Sequence, residues 1–185
     1  MNLPHSDGLP LPSQLIPRKS FRPAGLVLSA EYMTGPPKFP TPGTTSKAQR
    51  LGKRYETKVI RKIKKLDIEG FVFGPWISFM SGSGSLRSCQ PDMLWFNSRT
   101  KKGIIFEIKY THTIDAYYQL VELYFPVVAK LHPEYEFSLV ELTRSYDPAI
   151  QFPVPVDSLY FDLEELFATS HTSPQKSVSV LQWKL

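Results

Sequence analysis

The chain has 185 residues, of which 42% are hydrophobic, and it carries a formal net charge of +5. This composition suffices for one compact domain, and the lack of a long apolar stretch excludes a membrane-spanning protein. The single cysteine, Cys89, excludes internal disulfides and a zinc site, and indicates a reducing, intracellular compartment such as the cytoplasm or nucleoid, in a cellular or virus-encoded setting. The positive charge favours a polyanionic partner.

The N-terminal segment is rich in proline. Residues 1–43 hold 9 of the 17 prolines, which predicts an extended arm that lies along the domain or a partner. This arm lacks the apolar segment of a signal peptide. We expect the arm to be followed by a core over residues 44–145 and by a C-terminal extension over residues 146–185 that packs on the core.

Residues 46–66 are predicted to form the first helix, because apolar side chains recur at steps of three and four. The expected buried face consists of Ala48, Leu51, Tyr55, Val59, Ile63 and Leu66. Most cations lie on the opposite side, where Arg50, Lys53 and Arg54 are candidates for contacting phosphates.

Glu56 is the only acid of this helix and lies at the edge of the buried face. An acid placed to pair with the cations would lie among them, so the position of Glu56 indicates a functional carboxylate. Gly52, one turn earlier, permits close approach by a ligand or another backbone. The alternative is an ordinary surface ion pair between Glu56 and Lys53 or Arg54.

Residues 71–80 are predicted to form the first strand of the sheet, with a bulge or edge position at Gly74-Pro75. The Gly/Ser-rich residues 81–88 are expected to be a mobile loop. Arg87 in this loop is a candidate for closing over a phosphate backbone, and a plain flexible connection is the alternative.

Residues 93–97 and 103–110 have the composition of two strands, joined by the polar SRTKK. A turn about residues 99–100 places Asp92 opposite Glu107, give or take one residue. Glu107 and Lys109 then project from one face, while Ile108 points into the core.

Two carboxylates and a strand carbonyl are the hard oxygen ligands that Mg²⁺ or Mn²⁺ prefers. The adjacent lysine can orient an attacking water or balance developing negative charge. The alternative is a surface ion pair on an edge strand.

A second helix is predicted over residues 113–125, with an apolar stripe and an end or kink at Pro126. The stripe consists of Ile114, Tyr117, Leu120, Val121 and Tyr124. The amide of Gln119 is placed to orient a water or touch a phosphate, or else is simply exposed. His112 is a further candidate for contacting substrate, with a structural or exposed role as the alternative.

Three further elements are expected towards the C-terminus. Residues 135–142 read as a strand, residues 157–169 as a short acidic amphipathic helix, and SVSVLQWKL as a final strand. That last strand either extends the sheet or mediates dimerisation, so a homo-oligomer stays open.

The ordered set Gly52-x-x-x-Glu56, Pro91-Asp92, Glu107-x-Lys109 and Gln119 resembles the PD-(D/E)XK nuclease superfamily, particularly its lambda-exonuclease-like, RecB-type and archaeal junction-resolvase-like branch. The resemblance covers roughly residues 46–142. It implies an α/β fold with a restriction-endonuclease-like core. In that core a helix, a three-stranded antiparallel meander, a second helix and a further strand build a mixed central sheet flanked by helices.

The resemblance also implies roles for these residues. Asp92 and Glu107 would hold the metal with the carbonyl of Ile108, Glu56 would hold a second ion or its water shell, and Lys109 would assist the attacking water. The tyrosine that commonly follows the glutamine in RecB-type members falls one position later here, at Tyr124.

The favoured hypothesis is therefore a Mg²⁺-dependent deoxyribonuclease, with Mn²⁺ as a substitute, that acts on DNA in recombination, repair or replication. Exonuclease and structure-specific endonuclease activities are not separated by the shared core. The alternative is a catalytically silent nucleic-acid-binding module in which the acids form structural ion pairs.

Overall fold

The computed structural model describes residues 22–37, 46–111, 114–145 and 179–183, which form a mixed α/β structure with two β-sheets. The strands are β1 (Val27–Tyr32), β2 (Phe71–Phe73), β3 (Ile77–Ser81), β4 (Leu86–Cys89), β5 (Met93–Asn97), β6 (Lys102–Thr111), β7 (Glu136–Ser145) and β8 (Ser179–Trp183). The helices are α1 (Lys47–Lys64), α2 (Ile114–Tyr118), a π-helical segment (Gln119–Tyr124) and α3 (Phe125–Leu131). Both His112 and the predicted helix over residues 157–169 lie outside the described residues.

The larger sheet has five strands in the order β2-β5-β6-β7-β8. Strands β2, β5 and β6 are an antiparallel meander, β7 is parallel to β6, and β8 is antiparallel to β7. The β3-β4 hairpin is inserted between the first two strands of the meander. Strand β8 extends the sheet, which is one of the two roles predicted for the C-terminal segment.

The prediction of a single strand over residues 71–80 is wrong. Phe71–Phe73 belongs to the larger sheet, whereas Ile77–Ser81 is the central strand of a second sheet, β1-β3-β4. The chain leaves the larger sheet at Gly74, which has a φ of +55°, and the next residue, Pro75, has no N–H to donate to a ladder. The Gly-Pro step therefore redirects the chain between the two sheets.

Part of the predicted N-terminal arm belongs to the fold. Val27–Tyr32 pairs antiparallel with β3, and both Ala24 and Val27 are buried. This segment is extended and lies along the domain, as predicted for the arm.

The predicted loop over residues 81–88 is a tight turn followed by a strand. The N–H of Gly84 donates to the carbonyl of Ser81 at 2.8 Å, and Leu86–Cys89 pairs antiparallel with β3. The loop prediction is therefore wrong from Leu86 onwards, because the Gly/Ser composition serves only the turn of a hairpin.

Helix α1 begins as predicted. The hydroxyl of Ser46 accepts a hydrogen bond from the N–H of Gln49, and the Gln49 side chain accepts one from the N–H of Ser46. This reciprocal capping box satisfies two N–H groups that the helix itself leaves without partners.

Only part of the predicted apolar face of α1 is buried. Val59 and Ile63 are buried, but Ala48, Leu51 and Leu66 are exposed. The prediction of a fully buried face is wrong because the side chains of the larger sheet pack against the middle and later turns of α1 only.

The second helix does not end at Pro126. The N–H of Phe125 donates to the carbonyl of Leu120, five residues earlier, which defines a π turn before α3. Pro126 cannot donate to the carbonyl of Glu122, but the N–H of Ala24 does so at 2.7 Å. The π turn and this contact from the N-terminal segment allow the helix to continue past Pro126.

The two faces of the larger sheet are covered differently. On one face, Phe106 and Ile108 pack with Val59 and Ile63 of α1. On the other face, alternate side chains such as Ile105 pack with the second helix and the smaller sheet. The larger sheet therefore lies between α1 on one face and the second helix with the smaller sheet on the other, because each of these elements has an apolar face to bury. In the part of the chain that the structure describes, no helix has the length and apolar character to cross a membrane.

Candidate metal and nucleic-acid site

The β5-β6 hairpin brings Asp92 and Glu107 together. The side-chain oxygen of Asn97 accepts hydrogen bonds from the N–H groups of Arg99 and Thr100, which fixes the turn. Met93 pairs with Phe106, so the next position on each strand places Asp92 opposite Glu107, as predicted.

The position of Asp92 is fixed by backbone groups on both sides. The N–H of Ile108 donates to Oδ2 of Asp92 at 2.6 Å, and the N–H of Gly74 donates to the Asp92 carbonyl at 2.9 Å. In an extended strand, the N–H and the carbonyl of one residue point to the same side. The carbonyl of Ile108 therefore faces the side on which Asp92 lies, as a ligand of the same cation would have to.

Glu107 and Lys109 form an ion pair on the opposite face of β6 from Ile108. Glu107 is 3% exposed, so its charge is compensated within the protein by Lys109. The Lys109 ammonium also donates to Oε1 of Gln119 at 2.7 Å. The structure thus joins three of the predicted site residues in one chain of contacts.

Burial and neighbouring negative charges raise the pKa values of the carboxyl groups of the site. Burial first, and then the carboxylates of Glu107 and Glu56, raise the pKa of Asp92 to about 8, against the lowering effect of the Ile108 N–H. Burial also raises the pKa of Glu107, although Lys109 lowers it. The folded protein therefore raises the pKa values of both carboxyl groups, and that of Asp92 lies above neutral pH.

Burial and the neighbouring charges act on the pKa of Lys109 in opposite directions. Burial lowers the pKa of Lys109, but the carboxylates of Glu107, Asp92 and Glu141 outweigh burial, and the net shift is upward. Lys109 is therefore an ammonium at neutral pH and serves as a donor and a positive charge. It is not placed to act as a base.

The π-helical segment aligns two side chains on the site. Gln119 contacts Lys109, and Tyr124 lowers the pKa of Glu107 through a hydrogen bond from its hydroxyl. In an α-helix, positions five apart are rotated by about 140° around the axis. A π turn contains more residues than an α-helical turn, which reduces this rotation. The π turn therefore compensates for the extra residue between Gln119 and Tyr124.

Glu56 approaches the site from the other face of the sheet. It lies on α1, which covers the face opposite to Glu107, and its charge acts on Asp92 at the strand end. Oε1 of Glu56 accepts a hydrogen bond from Lys53 at 2.6 Å. The surface ion pair that the sequence offered as the alternative is thus present, together with the proximity to Asp92.

The predicted phosphate-contacting residues divide into two groups. Arg50, Lys53 and Arg54 lie together in a shallow groove along the exposed side of α1. Arg87 is on β4, where its guanidinium donates to the carbonyls of Pro23 at 2.5 Å and Arg22 at 2.7 Å. These contacts hold the N-terminal segment, and they engage the nitrogens that a phosphate would need.

The sequence-based interpretation did not single out Glu141, and it assigned Tyr124 to the core, with base stacking as the alternative. Glu141 is fully buried and pairs in register with Glu107 on the neighbouring parallel strand. A glutamate inside an otherwise apolar strand was the available signal, since a strand covered on both faces is normally apolar throughout. The extra residue after Gln119 gave no signal, because helical periodicity assumes a regular helix.

The donor set fits one divalent cation better than two. Oε2 of Glu107 is buried, and no donor among the described residues forms a well-aligned hydrogen bond with it. A cation shared with Asp92 would satisfy this oxygen. Across residues 22–37, 46–111, 114–145 and 179–183, however, no group of three or more His, Cys, Asp and Glu side chains is placed to hold a metal ion. Asp92, Glu107 and Glu56 therefore do not form such a group, and Glu56 is paired with Lys53.

Compared with family models, curated proteins and solved structures, the chain matches none.

Proposed function

We propose that this chain is a metal-dependent nuclease of the PD-(D/E)XK type that hydrolyses phosphodiester bonds of DNA. The observation that carries the proposal is the contact chain Glu107, Lys109 and Gln119, with Asp92 held beside it by the N–H of Ile108.

The order of elements supports a restriction-endonuclease-like core. After α1 come the antiparallel strands β2, β5 and β6, then a helix, then β7 parallel to β6. The candidate residues lie on the elements that the resemblance assigns to them. The π turn supports it further, because it returns Tyr124 to the side of the helix that Gln119 faces.

The chain's own residues would divide the work of hydrolysis. Asp92, Glu107 and the Ile108 carbonyl would hold a Mg²⁺ or Mn²⁺ ion, which would supply an activated water and neutralise charge at the phosphate. Lys109, oriented by Gln119, would donate to the attacking water or to the phosphate oxygens as negative charge develops. Cations of α1 would hold the DNA backbone. By analogy with the family, cleavage would leave a 5′-phosphate.

The test is cleavage of end-labelled linear, closed-circular and branched DNA with Mg²⁺ or Mn²⁺. We expect cleavage by the natural protein and none by Asp92→Ala or Lys109→Ala, with Glu69→Ala as the control, because Glu69 is an exposed acid just beyond α1. Cleavage by Asp92→Ala at the natural rate would refute the proposal. Release of mononucleotides from ends would indicate an exonuclease, and cutting of circles or junctions an endonuclease.

One observation favours a second candidate, a catalytically silent nucleic-acid-binding module. In the described part of the chain the acids are engaged by protein partners, Glu107 by Lys109 and Glu56 by Lys53, and no complete metal-ligand group is formed. This candidate predicts DNA binding without cleavage in any divalent metal.

A further inference from the structure

The Lys53–Glu56 ion pair joins the cationic surface of α1 to the acidic site. Lys53 is one helical turn before Glu56, and its ammonium contacts Oε1 of Glu56 at 2.6 Å. The lysine side chain is 73% exposed, whereas the glutamate side chain is 21% exposed. The pair thus has one partner in solvent and one turned towards the protein.

Lys53 also belongs to the groove that would receive phosphates. The groove is lined by cationic and polar side chains of α1, namely Arg50, Lys53, Arg54, Thr57, Lys58 and Arg61. A nucleic-acid backbone lying there would place a phosphate within reach of Lys53. Lys53 therefore has two competing anions, the Glu56 carboxylate and a backbone phosphate.

Glu56, in turn, could contribute to the cation site once it is released from Lys53. Its helix packs against β6, and its charge acts on Asp92 at the end of the sheet, so its carboxylate lies near that acid. While Lys53 holds Oε1, that oxygen is directed to the ammonium. Release from Lys53 would leave the carboxylate near Asp92 without its cation.

We propose that binding of a DNA phosphate to Lys53 releases Glu56 and so completes the acidic cation site only when substrate is present. The inference rests on the proposed nuclease function and adds the order of events, in which backbone binding on α1 precedes tight binding of the divalent cation. Lys53 is then a positioning residue, because it acts through Glu56 and not on the reacting atoms.

Transfer of the Lys53 ammonium from the Glu56 carboxylate to a phosphate costs little free energy. An exposed ion pair within a helix stabilises by a few tenths of a kcal/mol up to about 1 kcal/mol, so the coupling corresponds to about two- to fivefold in a binding constant. A phosphate oxygen is a comparable or better partner for an ammonium. The linkage is reciprocal: DNA strengthens cation binding by the same factor by which the cation strengthens DNA binding.

The first test measures DNA affinity in EDTA by fluorescence anisotropy with a short labelled duplex. Glu56→Gln removes the competitor for Lys53, and Glu69→Gln removes an equal charge from a nearby exposed acid. We expect Glu56→Gln to bind DNA about two- to fivefold more tightly than Glu69→Gln, as for loss of one exposed ion pair. In a Lys53→Gln background the two should bind equally. Equal affinities in the natural background would overturn the proposal.

The second test measures Mn²⁺ affinity without DNA by electron paramagnetic resonance. Lys53→Gln and Lys58→Gln each remove one cation from the same groove, but only Lys53 is paired with Glu56 by the contacts described above. We expect Lys53→Gln to bind Mn²⁺ about two- to fivefold more tightly than Lys58→Gln. If Asp92→Asn loses Mn²⁺ and the two lysine variants are equal, the coupling is wrong and the cation site stands. If Asp92→Asn binds Mn²⁺ as the natural protein does, the proposed function itself is wrong.

Discussion

Replacing Asp92 with asparagine removes an ionisable group from the site while keeping an oxygen that can accept the hydrogen bond from the Ile108 N–H. In the folded protein, burial and the carboxylates of Glu107 and Glu56 raise the pKa of Asp92 from 3.8 to about 8. Between these values the unfolded chain binds fewer protons at this position than the native protein. The contribution of Asp92 to the free energy of unfolding therefore decreases as pH rises from about 4 to about 8.

The magnitude follows from the size of the window. Between pH 5 and pH 8 the largest loss is about 1.4 kcal/mol per pH unit, or about 4 kcal/mol. Solvent near a half-buried carboxyl screens about half of this, which leaves about 2 kcal/mol. Because the substituted amide does not titrate, we expect the stability of Asp92→Asn relative to the natural protein to increase by about 2 kcal/mol from pH 5 to pH 8.

Urea unfolding in EDTA, followed by tryptophan fluorescence, measures this difference at each pH. Buried Trp95, whose indole N–H donates to the Glu69 carbonyl at 3.0 Å, reports loss of the larger sheet. Adding Mg²⁺ at pH 8 should stabilise the natural protein and not Asp92→Asn, since a bound cation relieves the carboxylate repulsion. A stability difference that stays constant across this pH range would refute the assignment of Asp92 as a carboxyl with a raised pKa.

Three further outcomes are expected. Lys109→Met leaves the Glu107 carboxylate buried without its ammonium partner, and we expect the free energy of unfolding in urea at pH 8 to fall by about 3–5 kcal/mol. The Lys109→Met/Glu107→Gln double variant should recover much of this loss. If the effects of the two single substitutions simply add in the double variant, the ion-pair role is wrong. Gly103→Ala would place a Cβ 2.5 Å from the nearest aromatic carbon and should destabilise the protein by about 1–3 kcal/mol. At Gly52 a Cβ meets nothing within 4 Å, so Gly52→Ala should stabilise α1 by about 1 kcal/mol. Loss of DNA affinity in Gly52→Ala would instead show that a ligand approaches the helix at this position. Tyr124→Phe removes a hydrogen bond that lowers the pKa of Glu107, so the pH profile of cleavage should move to higher pH, and an unchanged profile would exclude this interaction.

The local pattern of the sequence was enough to predict the hairpin and its register. The position of the turn predicted that Asp92 lies opposite Glu107 to within one residue, and the observed register places these two residues opposite each other. The start of α1 was equally local, because Ser46 and Gln49 form a capping box that depends only on residues three apart.

Other features depended on contacts between distant parts of the chain. The second helix continues past Pro126 because Ala24, far away in sequence, supplies the hydrogen bond that proline cannot, and because a π turn absorbs one extra residue. The stretch over residues 71–80 divides between two sheets because the pairing partners of its two halves, β5 and β1, lie on different sheets.

The candidate site, too, depends partly on local sequence and partly on contacts between distant parts of the chain. The residue types and spacing of Glu56, Asp92, Glu107 and Lys109 predicted an acidic site beside an amine, since these are properties of single strands and of one helix face. Tertiary packing decided the protonation of Asp92, the burial of Glu141 beside Glu107, and the capture of Glu56 by Lys53. These depend on which side chains are removed from water together, and burial and mutual charge are set by the folded chain as a whole.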